Sequence, residues 1–279
     1  MSDGAGYVHG TAPTEQARLA RLNAMLNTRA LDVLALKGGE RVLDLGSGLG
    51  QMSRGMARRG AGHVLGIERS AAQIAFAREH ARDGGDQPLL DSGRVEWREG
   101  DAAAPPLTDA EWGSFDVAHA RFLLEHLRDP LAAVKTMVRA VRPGGRIVLA
   151  DDDHDLLRLW PEPPGFATLW GAYIRTYDRL GCDPFVGRRL VALLHDAGAP
   201  PRKNTLLWFG ACAGEEEGAL GALALNVREI LSGAEAAICE TGGLRARDFA
   251  AALAALMAWS ERPDAAIWYG MAWAEGRRP

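Results

Sequence analysis

Three acidic side chains and one glycine-rich loop have the spacing of a ligand site. Asp44 stands just before the loop in RVLDLGSGLGQ, which has glycine at every second position: Gly46, Gly48 and Gly50. Glycine allows positive φ and lets a ligand approach the main chain, although a tight turn alone would also use it. The dinucleotide fingerprint G-x-G-x-x-G requires glycine where this chain has Gln51. Because Asp44 would also repel a phosphate, the loop favours a ligand with an ammonium group.

Two more acids follow apolar runs further along the chain. Glu68 ends HVLGIE, at a distance from the glycine loop where an acid can accept hydrogen bonds from both hydroxyls of a ribose. Asp101 follows VEWREG, where a carboxylate can accept from an exocyclic amine such as that of adenine. Together with Asp44, these acids indicate one site for a nucleoside and an amine. Plainer roles stay open: Glu68 beside a helix N-terminus and Asp101 in a turn.

A parallel sheet would bring these acids together. Short apolar runs alternate with helical patterns, which is typical of βαβ units and of a parallel sheet covered on both faces. Strands are predicted at 41–45, 63–68, 95–101, 115–120, 146–152, 203–212 and 265–274. Helices are predicted at 14–36, 51–59, 71–83, 130–141 and, with a break near 241–243, 215–259. Residues 156–200 contain several aromatics and no clear strand, which indicates a helical insertion.

The length and composition fit one elaborated domain. The 279 residues carry a formal net charge of -4 and are 47% hydrophobic, without an obvious linker. An acidic chain with no basic cluster disfavours nucleic acid and anionic membranes as partners. The N-terminus lacks a signal-peptide pattern and no apolar run approaches a membrane span, so we expect a cytoplasmic protein. Cys182, Cys212 and Cys239 form no CxxC, which indicates reduced thiols and no metal site.

Five ordered motifs resemble those of the class I S-adenosylmethionine-dependent methyltransferases. VLDLGSGLGQ is similar to their first motif, GIERS to their ribose-binding acid and EGDAAAPPL to their adenine-contacting segment. FDVAHARFLLEHLRDP is similar to their fourth motif, and VRPGGRIVLADDD to their turn and fifth strand. The match covers about residues 40–153. It is nearest the small-molecule branch that includes the quinone-biosynthesis and natural-product methyltransferases.

The resemblance implies a fold and a division of the chain. The fold would be Rossmann-like α/β: a seven-stranded, mostly parallel sheet with an antiparallel last strand, helices on both faces and a helical lid inserted after strand 5. Within a single methyltransferase domain, 1–279, residues 1–36 would form an N-terminal helical cap. Residues 37–153 would form the S-adenosylmethionine-binding core, 156–200 the lid over the substrate and 201–279 the C-terminal part of the sheet.

The resemblance also implies which residues hold the cofactor, S-adenosyl-L-methionine. Asp44 and the backbone of the glycine loop would hold its methionine part, Glu68 its ribose and Asp101 its adenine. Tyr7 would close over it from the N-terminal side. The implied cofactor-binding residues are Asp44, Gly46, Ser47, Gly48, Gly50, Gln51, Glu68, Arg69, Gly100, Asp101, Ala102, His119, Ala120, Arg121, His126 and Tyr7.

The expected reaction moves a methyl group to an O, N or C atom of a small metabolite of secondary metabolism. Methyl transfer from a sulfonium needs in-line attack, so positioning and the exclusion of water supply most of the rate. A hydroxyl or ammonium acceptor also benefits from a general base, most often histidine. His154, just past the fifth strand, is the first candidate and His119 the second. Alternatively His154 faces solvent, and the aromatics of 156–200 pack the insertion onto the domain.

Other functions stay open. A protein of this fold can hold S-adenosylmethionine without transferring its methyl group, and catalyse a cyclisation or isomerisation instead. A nicotinamide-dependent Rossmann oxidoreductase is disfavoured by Gln51. A nucleic-acid methyltransferase is disfavoured because HARF lacks the Asn/Asp-Pro-Pro-aromatic run of amino-group base methylators. A small-molecule methyl acceptor is the expected partner, and a homodimer is left open as an assembly state.

Overall fold

The computed structural model of the protein describes residues 26–215 and 219–279. An eight-stranded sheet lies between layers of helices. The strands are β1 (Arg41–Leu45), β2 (His63–Glu68), β3 (Val95–Glu99), β4 (Phe115–Arg121), β5 (Val141–Asp152), β6 (Arg158–Trp160), β7 (Pro201–Cys212) and β8 (Ala266–Arg277). The helices are α1 (26–34), α2 (Gln51–Arg58), α3 (Ala71–Asp83), α4 (Gln87–Asp91), α5 (Pro130–Ala140), α6 (Phe166–Leu180), α7 (Leu190–Asp196), α8 (Ala219–Gly233), α9 (Glu235–Glu240) and α10 (Ala246–Ser260). Short 3-10 helices lie at Leu124–His126, His154–Leu156 and Val186–Arg189.

The strand order brings the carboxyl ends of β1 to β4 to one edge of the sheet. In the order β3-β2-β1-β4-β5-β8, strands β1 to β5 run parallel and β8 runs antiparallel to β5. Strand β7 pairs antiparallel with the other side of β8. Asp44 on β1 is in register with His119 on β4, so two predicted site residues are direct neighbours in the sheet. The predicted Rossmann-like α/β fold with an antiparallel last strand is confirmed.

The sheet has one strand more than the seven predicted, and that strand lies in the segment predicted as helical. Strand β6 has three residues and pairs antiparallel with β8, with Arg158 opposite Trp268. Three residues are too few to show the alternation by which a strand is recognised in a sequence. Residues 158–160 therefore form a strand because they pair with β8. The rest of 156–200 contains the helices α6 and α7, as expected.

Other boundaries differ from the prediction by a few residues. Strand β5 begins at Val141, five residues before the predicted start at 146, and the short helix α4 was not predicted. The predicted helix at 14–36 is described from residue 26 and ends at 34. Its earlier part, 14–25, lies outside the described residues.

Two apolar cores lie on the two faces of the sheet. Leu43 belongs to the core that includes residues of α5 and α7, whereas its neighbour Val42 belongs to the core with residues of α1, α2 and α3, because alternate residues of a strand face opposite sides. A third cluster joins α6, α8, α9 and α10 to β6, β7 and β8. Within 26–215 and 219–279, no helix has both the length and the apolar character that a membrane crossing requires.

Candidate active site

The glycine loop joins the end of β1 to the start of α2. Gly46, Gly48 and Gly50 have φ values of 68°, 52° and 66°, a region that other L-residues rarely adopt. A Cβ atom on Gly50 would lie 2.3 Å from the ring of Trp97. The glycines therefore make a tight turn, and two of them, Gly46 and Gly48, also line a cavity.

A cavity lies over this loop at the carboxyl ends of the parallel strands. Most of the predicted site residues line it: Asp44, Gly46, Ser47, Gly48, Gln51, Glu68, Arg69, Gly100, Asp101, Ala102, His119, Arg121, His126 and His154. Gly50 and Ala120 are not among its lining residues, because Gly50 packs beneath Trp97 and the Ala120 side chain lies in the core on the side of α5. Tyr7 lies outside the described residues.

The carboxylates of Asp44 and Glu68 are tied to the loop that they flank. Asp44 accepts a hydrogen bond from Ser53 Oγ at 2.6 Å, and its other oxygen lies 2.8 Å from His119 Nδ1. Glu68 accepts from the backbone N–H of Gly48 at 3.0 Å and of Ser70 at 2.9 Å. Each carboxylate oxygen has a second lone pair, so these bonds fix both acids and leave them able to accept from a ligand.

Asp101 occupies a more open position at the edge of the cavity. One of its oxygens accepts from the backbone N–H of Ala103 at 2.7 Å, and the residue is exposed. This carboxylate is therefore held by its own turn. The three predicted acids, Asp44, Glu68 and Asp101, line one cavity, as the sequence predicts.

Two buried polar atoms on the cavity wall have no hydrogen-bond partner among the described residues. They are Ser47 Oγ, on the glycine loop, and His119 Nε2, on β4. Burying a polar atom without a partner costs free energy, and native proteins rarely leave such atoms unsatisfied. Both atoms therefore indicate a polar ligand in this half of the cavity.

Arg121, the last residue of β4, brings a positive charge to the cavity wall. Its guanidinium donates to Asn27 Oδ1 at 2.6 Å. Burial lowers the pKa of Arg121 to about 10, although Asp44, Tyr269 and Asp152 oppose that shift. The side chain thus stays charged at neutral pH.

A buried cluster of polar side chains forms the other half of the cavity. Glu125, in the short helix after β4, lies 3.2 Å from His154 Nε2. Tyr177 on α6 donates to the same carboxylate at 3.0 Å, and its hydroxyl lies 3.1 Å from that of Tyr173. The alternative in which His154 faces solvent is wrong, since the residue is 6% exposed.

Asp152 lines this half of the cavity at the end of β5, next to the buried Asp151. Asp151 accepts from the backbone N–H groups of Leu123 and Leu124 at 3.1 and 2.8 Å, which fixes the turn that carries Glu125. Asp152 accepts a hydrogen bond from Tyr269. Burial and the charge of Glu125 raise the pKa of Asp152 to about 7, and they raise the pKa of Asp151 as well.

One group here has donor atoms close enough together to share a metal ion. Glu125, Asp152 and His154 each offer one ligand atom, and these atoms lie within 4.8 Å of one another. In this structure the same side chains are satisfied by each other and by tyrosine hydroxyls. Direct contacts among these side chains therefore hold the three groups together.

Some aromatic residues of the 156–200 insertion line the cavity, and others do not. Tyr173 and Tyr177 are buried and line the cavity, whereas Trp160 is 67% exposed. Sequence reasoning did not single out Glu125 or Asp152, which lie within quoted motifs, nor Ile230 on α8, which also lines the cavity. Glu125 carries no local signal, because its partners, His154 and Tyr177, come from the short helix after β5 and from α6.

Comparisons with known proteins agree with this geometry. Residues 43–149 match the methyltransferase domain family. The chain is 33% identical over 150 residues to a ubiquinone biosynthesis O-methyltransferase of Pseudomonas aeruginosa, covering 53% of this chain and 58% of that protein. It is 34% identical over 157 residues to the 27-O-demethylrifamycin SV methyltransferase of Amycolatopsis mediterranei, covering 56% of this chain and 53% of that protein. The matched part thus spans a little over half the length of these curated relatives.

The fold is also similar to that of solved methyltransferase structures. Geranyl diphosphate C-methyltransferase from Streptomyces coelicolor, solved with Mg²⁺, geranyl diphosphate and S-adenosyl-L-homocysteine, has a TM-score of 0.53 at 16% identity and covers 94% of this chain and 82% of that chain. At such low identity the likeness concerns the fold alone. Residues 43–149 thus match a methyltransferase domain, and the ordered motifs, the sheet and the relatives support a class I S-adenosylmethionine-dependent methyltransferase.

Proposed function

We propose that this protein binds S-adenosyl-L-methionine and transfers its methyl group to an O, N or C atom of a small metabolite. The observation that carries the proposal is that Asp44, Glu68 and Asp101, from three successive strand ends, line one cavity with the glycine loop. A nucleoside joined to an amino acid presents the matching groups: an ammonium, a ribose diol and an exocyclic amine.

The residues of the cavity fit this cofactor. Asp44 and the loop backbone would hold the amino-acid part, Glu68 the ribose hydroxyls and Asp101 the adenine amine. Ser47 Oγ and His119 Nε2, which lack partners among the described residues, would bond its polar atoms. When bound, S-adenosylmethionine supplies an electrophilic methyl carbon on a sulfonium.

The other half of the cavity suits a small, partly apolar acceptor. Tyr173, Tyr177 and Ile230 line it together with Phe122, and the polar groups between them are Glu125, Asp152 and His154. A largely apolar wall with a few placed polar groups is typical of a small-molecule site. These residues would orient the acceptor and keep water from the reacting atoms, which supplies much of the rate of methyl transfer.

The experiment is the transfer of a tritiated methyl group. The protein is incubated with methyl-labelled S-adenosylmethionine and a low-molecular-mass extract of bacterial cells. We expect label in a small product, and we expect Glu68→Ala to reduce the labelling. Glu79→Ala is the matched control, because Glu79 is exposed on α3 and away from the cavity. Binding of the cofactor without any labelled product would favour a non-methylating reaction and contradict the proposal.

A further inference from the structure

We propose that Glu125 and His154 act together as a proton-accepting pair and that the methyl acceptor is therefore a hydroxyl oxygen. This inference deepens the proposed function and rests on it. His154 would touch the acceptor, while Glu125 and Tyr177 would be positioning residues that act through His154.

The pair is assembled from three separate elements. Glu125 comes from the turn after β4, His154 from the turn after β5 and Tyr177 from α6. Glu125 Oε2 lies 3.2 Å from His154 Nε2 and accepts from the Tyr177 hydroxyl at 3.0 Å. The exposure of these three residues is 4%, 6% and 1%. A contact so well shielded from water is electrostatically stronger than the same contact on the surface.

The arrangement leaves one nitrogen of His154 for the acceptor. Glu125 and Tyr177 contact Nε2, and none of the hydrogen bonds of the described residues uses Nδ1. His154 lines the cavity, and its ring is held edge-on against Trp170 and Tyr173. When Nε2–H donates to Glu125, Nδ1 carries the lone pair of the neutral imidazole.

The charges around His154 strengthen it as a base. Burial alone would lower the pKa of His154, but the hydrogen bond and charge of Glu125, with Asp152 and Asp153, raise it above its ordinary value. The titratable and charged groups that face it from the neighbouring elements are Glu125 and His126 after β4, Asp152 and Asp153 on and after β5, and Tyr173 and Tyr177 on α6. Arg188 is held by Asp153 and Asp155.

A hydroxyl acceptor gains most from such a pair. The acceptor O–H gives its proton to Nδ1 as an oxygen lone pair forms the new O–C bond to the methyl carbon. The S–C bond breaks, and its electron pair stays on sulfur. The resulting imidazolium is stabilised by the charge of Glu125. A neutral amine, in contrast, attacks with its own lone pair and loses its proton afterwards, so it needs this base less.

The first test follows the imidazole of His154 by NMR in the full chain with labelled histidine. The His154→Gln variant assigns the resonance. We expect the pKa of His154 to lie above its ordinary value in the wild type and to fall in Glu125→Gln, because that substitution removes the opposite charge that favours the imidazolium. Tyr177→Phe, which keeps the ring and removes only the hydroxyl, should change the titration in a folded protein. An unchanged titration in both variants would overturn the proposal.

The second test compares matched acceptors. Phenol and aniline, 2-naphthol and 2-naphthylamine, and octanol and octylamine are offered with labelled S-adenosylmethionine. We expect labelled hydroxyl compounds, a rate that rises with pH through the titration of His154, and a rate about 100-fold lower or more in His154→Gln, as for loss of a general base. In Glu125→Gln the pH-rate limb should move to lower pH, which a merely structural role would not cause. His195→Gln is the control, because His195 lies on the surface, with a side chain 79% exposed.

The two proposals fail in different ways. Loss of S-adenosylhomocysteine binding in the wild type would contradict the proposed function itself. Two other outcomes would contradict only the hydroxyl inference, with S-adenosylhomocysteine still bound. One is methyl transfer to the amines, and the other is a rate of transfer that does not depend on His154 or on pH. If no compound is labelled, the NMR titration alone decides.

Discussion

Asp44 and His119 face each other across β1 and β4, with 2.8 Å between Asp44 Oδ1 and His119 Nδ1 and almost no exposure of either residue. The contact depends on the parallel register of the two strands, which places these residues side by side. It holds the carboxylate at the floor of the cavity, where the proposed ammonium binds. The unpartnered Nε2 of His119 lies on the same wall.

Asp44→Asn should weaken the binding of S-adenosylhomocysteine. The substitution keeps the shape and removes the charge that the ammonium needs. A hydrogen bond to a charged group contributes about 1.5–3 kcal/mol, which corresponds to a loss of about 10- to 100-fold in affinity. Isothermal titration calorimetry measures this loss of affinity. Ser53→Ala is the matched control, because it removes the other partner of Asp44 without touching the ligand, and it should cost far less affinity. Equal losses in the two variants would contradict the assignment.

Asp101→Asn should reduce affinity only for ligands with an exocyclic amine on the base. The carboxylate accepts from that amine, whereas the inosine analogue of S-adenosylhomocysteine has a carbonyl in its place. We therefore expect wild type to prefer the adenosine compound and the variant to lose much of this preference. A double-mutant cycle from four calorimetric titrations gives the interaction energy. An energy near zero would mean that Asp101 does not contact the adenine.

Gly50→Ala should destabilise the fold strongly. Its φ of 66° costs an alanine about 1–2 kcal/mol, and the added Cβ would lie 2.3 Å from the Trp97 ring. Gly85→Ala is the control, because Gly85 has a φ of 78° and nothing within 4 Å of the added atom. In urea unfolding, Gly50→Ala should lose clearly more free energy of unfolding than Gly85→Ala. Similar losses would mean that the packing against Trp97 is unimportant.

Glu111→Gln should reduce stability at neutral pH and have a smaller effect in acid. Glu111 accepts from Arg98 at 2.8 and 2.9 Å and from the backbone of Thr108 at 2.8 Å. These bonds, the one to Arg98 above all, lower the pKa of Glu111 to about 2. A carboxyl with a lowered pKa stabilises the fold above its unfolded pKa, near 4.5, and that contribution disappears as the pH falls towards 2.

The expected loss of unfolding free energy is about 2 kcal/mol at pH 7, after allowing for the solvent that reaches Arg98. Urea unfolding of both proteins at pH 7 and pH 3 measures the difference. A difference that stays constant over this range would show that the charge of Glu111 contributes no stability. Affinity for S-adenosylhomocysteine should not change, because Glu111 lies outside the cavity.

The half of the cavity beside the glycine loop could be predicted from the sequence because its residues lie in local patterns. Each acid follows an apolar run, and parallel strands carry their carboxyl ends to one edge, so Asp44, Glu68 and Asp101 had to meet. The positive φ values of the loop glycines depend on the residue type alone, so the turn can be predicted without knowing any distant contact. Strand periodicity and turn chemistry were therefore enough.

The half of the cavity around Glu125 and His154 could not be predicted in the same way. Glu125 gains its role from Tyr177, 52 residues away, and from His154 beyond β5. Its turn is fixed by Asp151, whose carboxylate bonds the backbone of Leu123 and Leu124. These contacts depend on how α6 packs over the sheet, and no short-range pattern encodes that packing. Strand β6 was missed for the same reason, since its pairing with β8 is long-range.

The most direct test of the account is calorimetric titration of the wild-type protein with S-adenosyl-L-homocysteine, with NAD as the competing ligand class. We expect one saturable site for S-adenosylhomocysteine, no uptake of NAD, and weaker binding in Glu68→Ala than in Glu79→Ala. No binding of S-adenosylhomocysteine, or binding that the Glu68 substitution leaves unchanged, would contradict the claim that the acids at the strand ends of this sheet hold the cofactor.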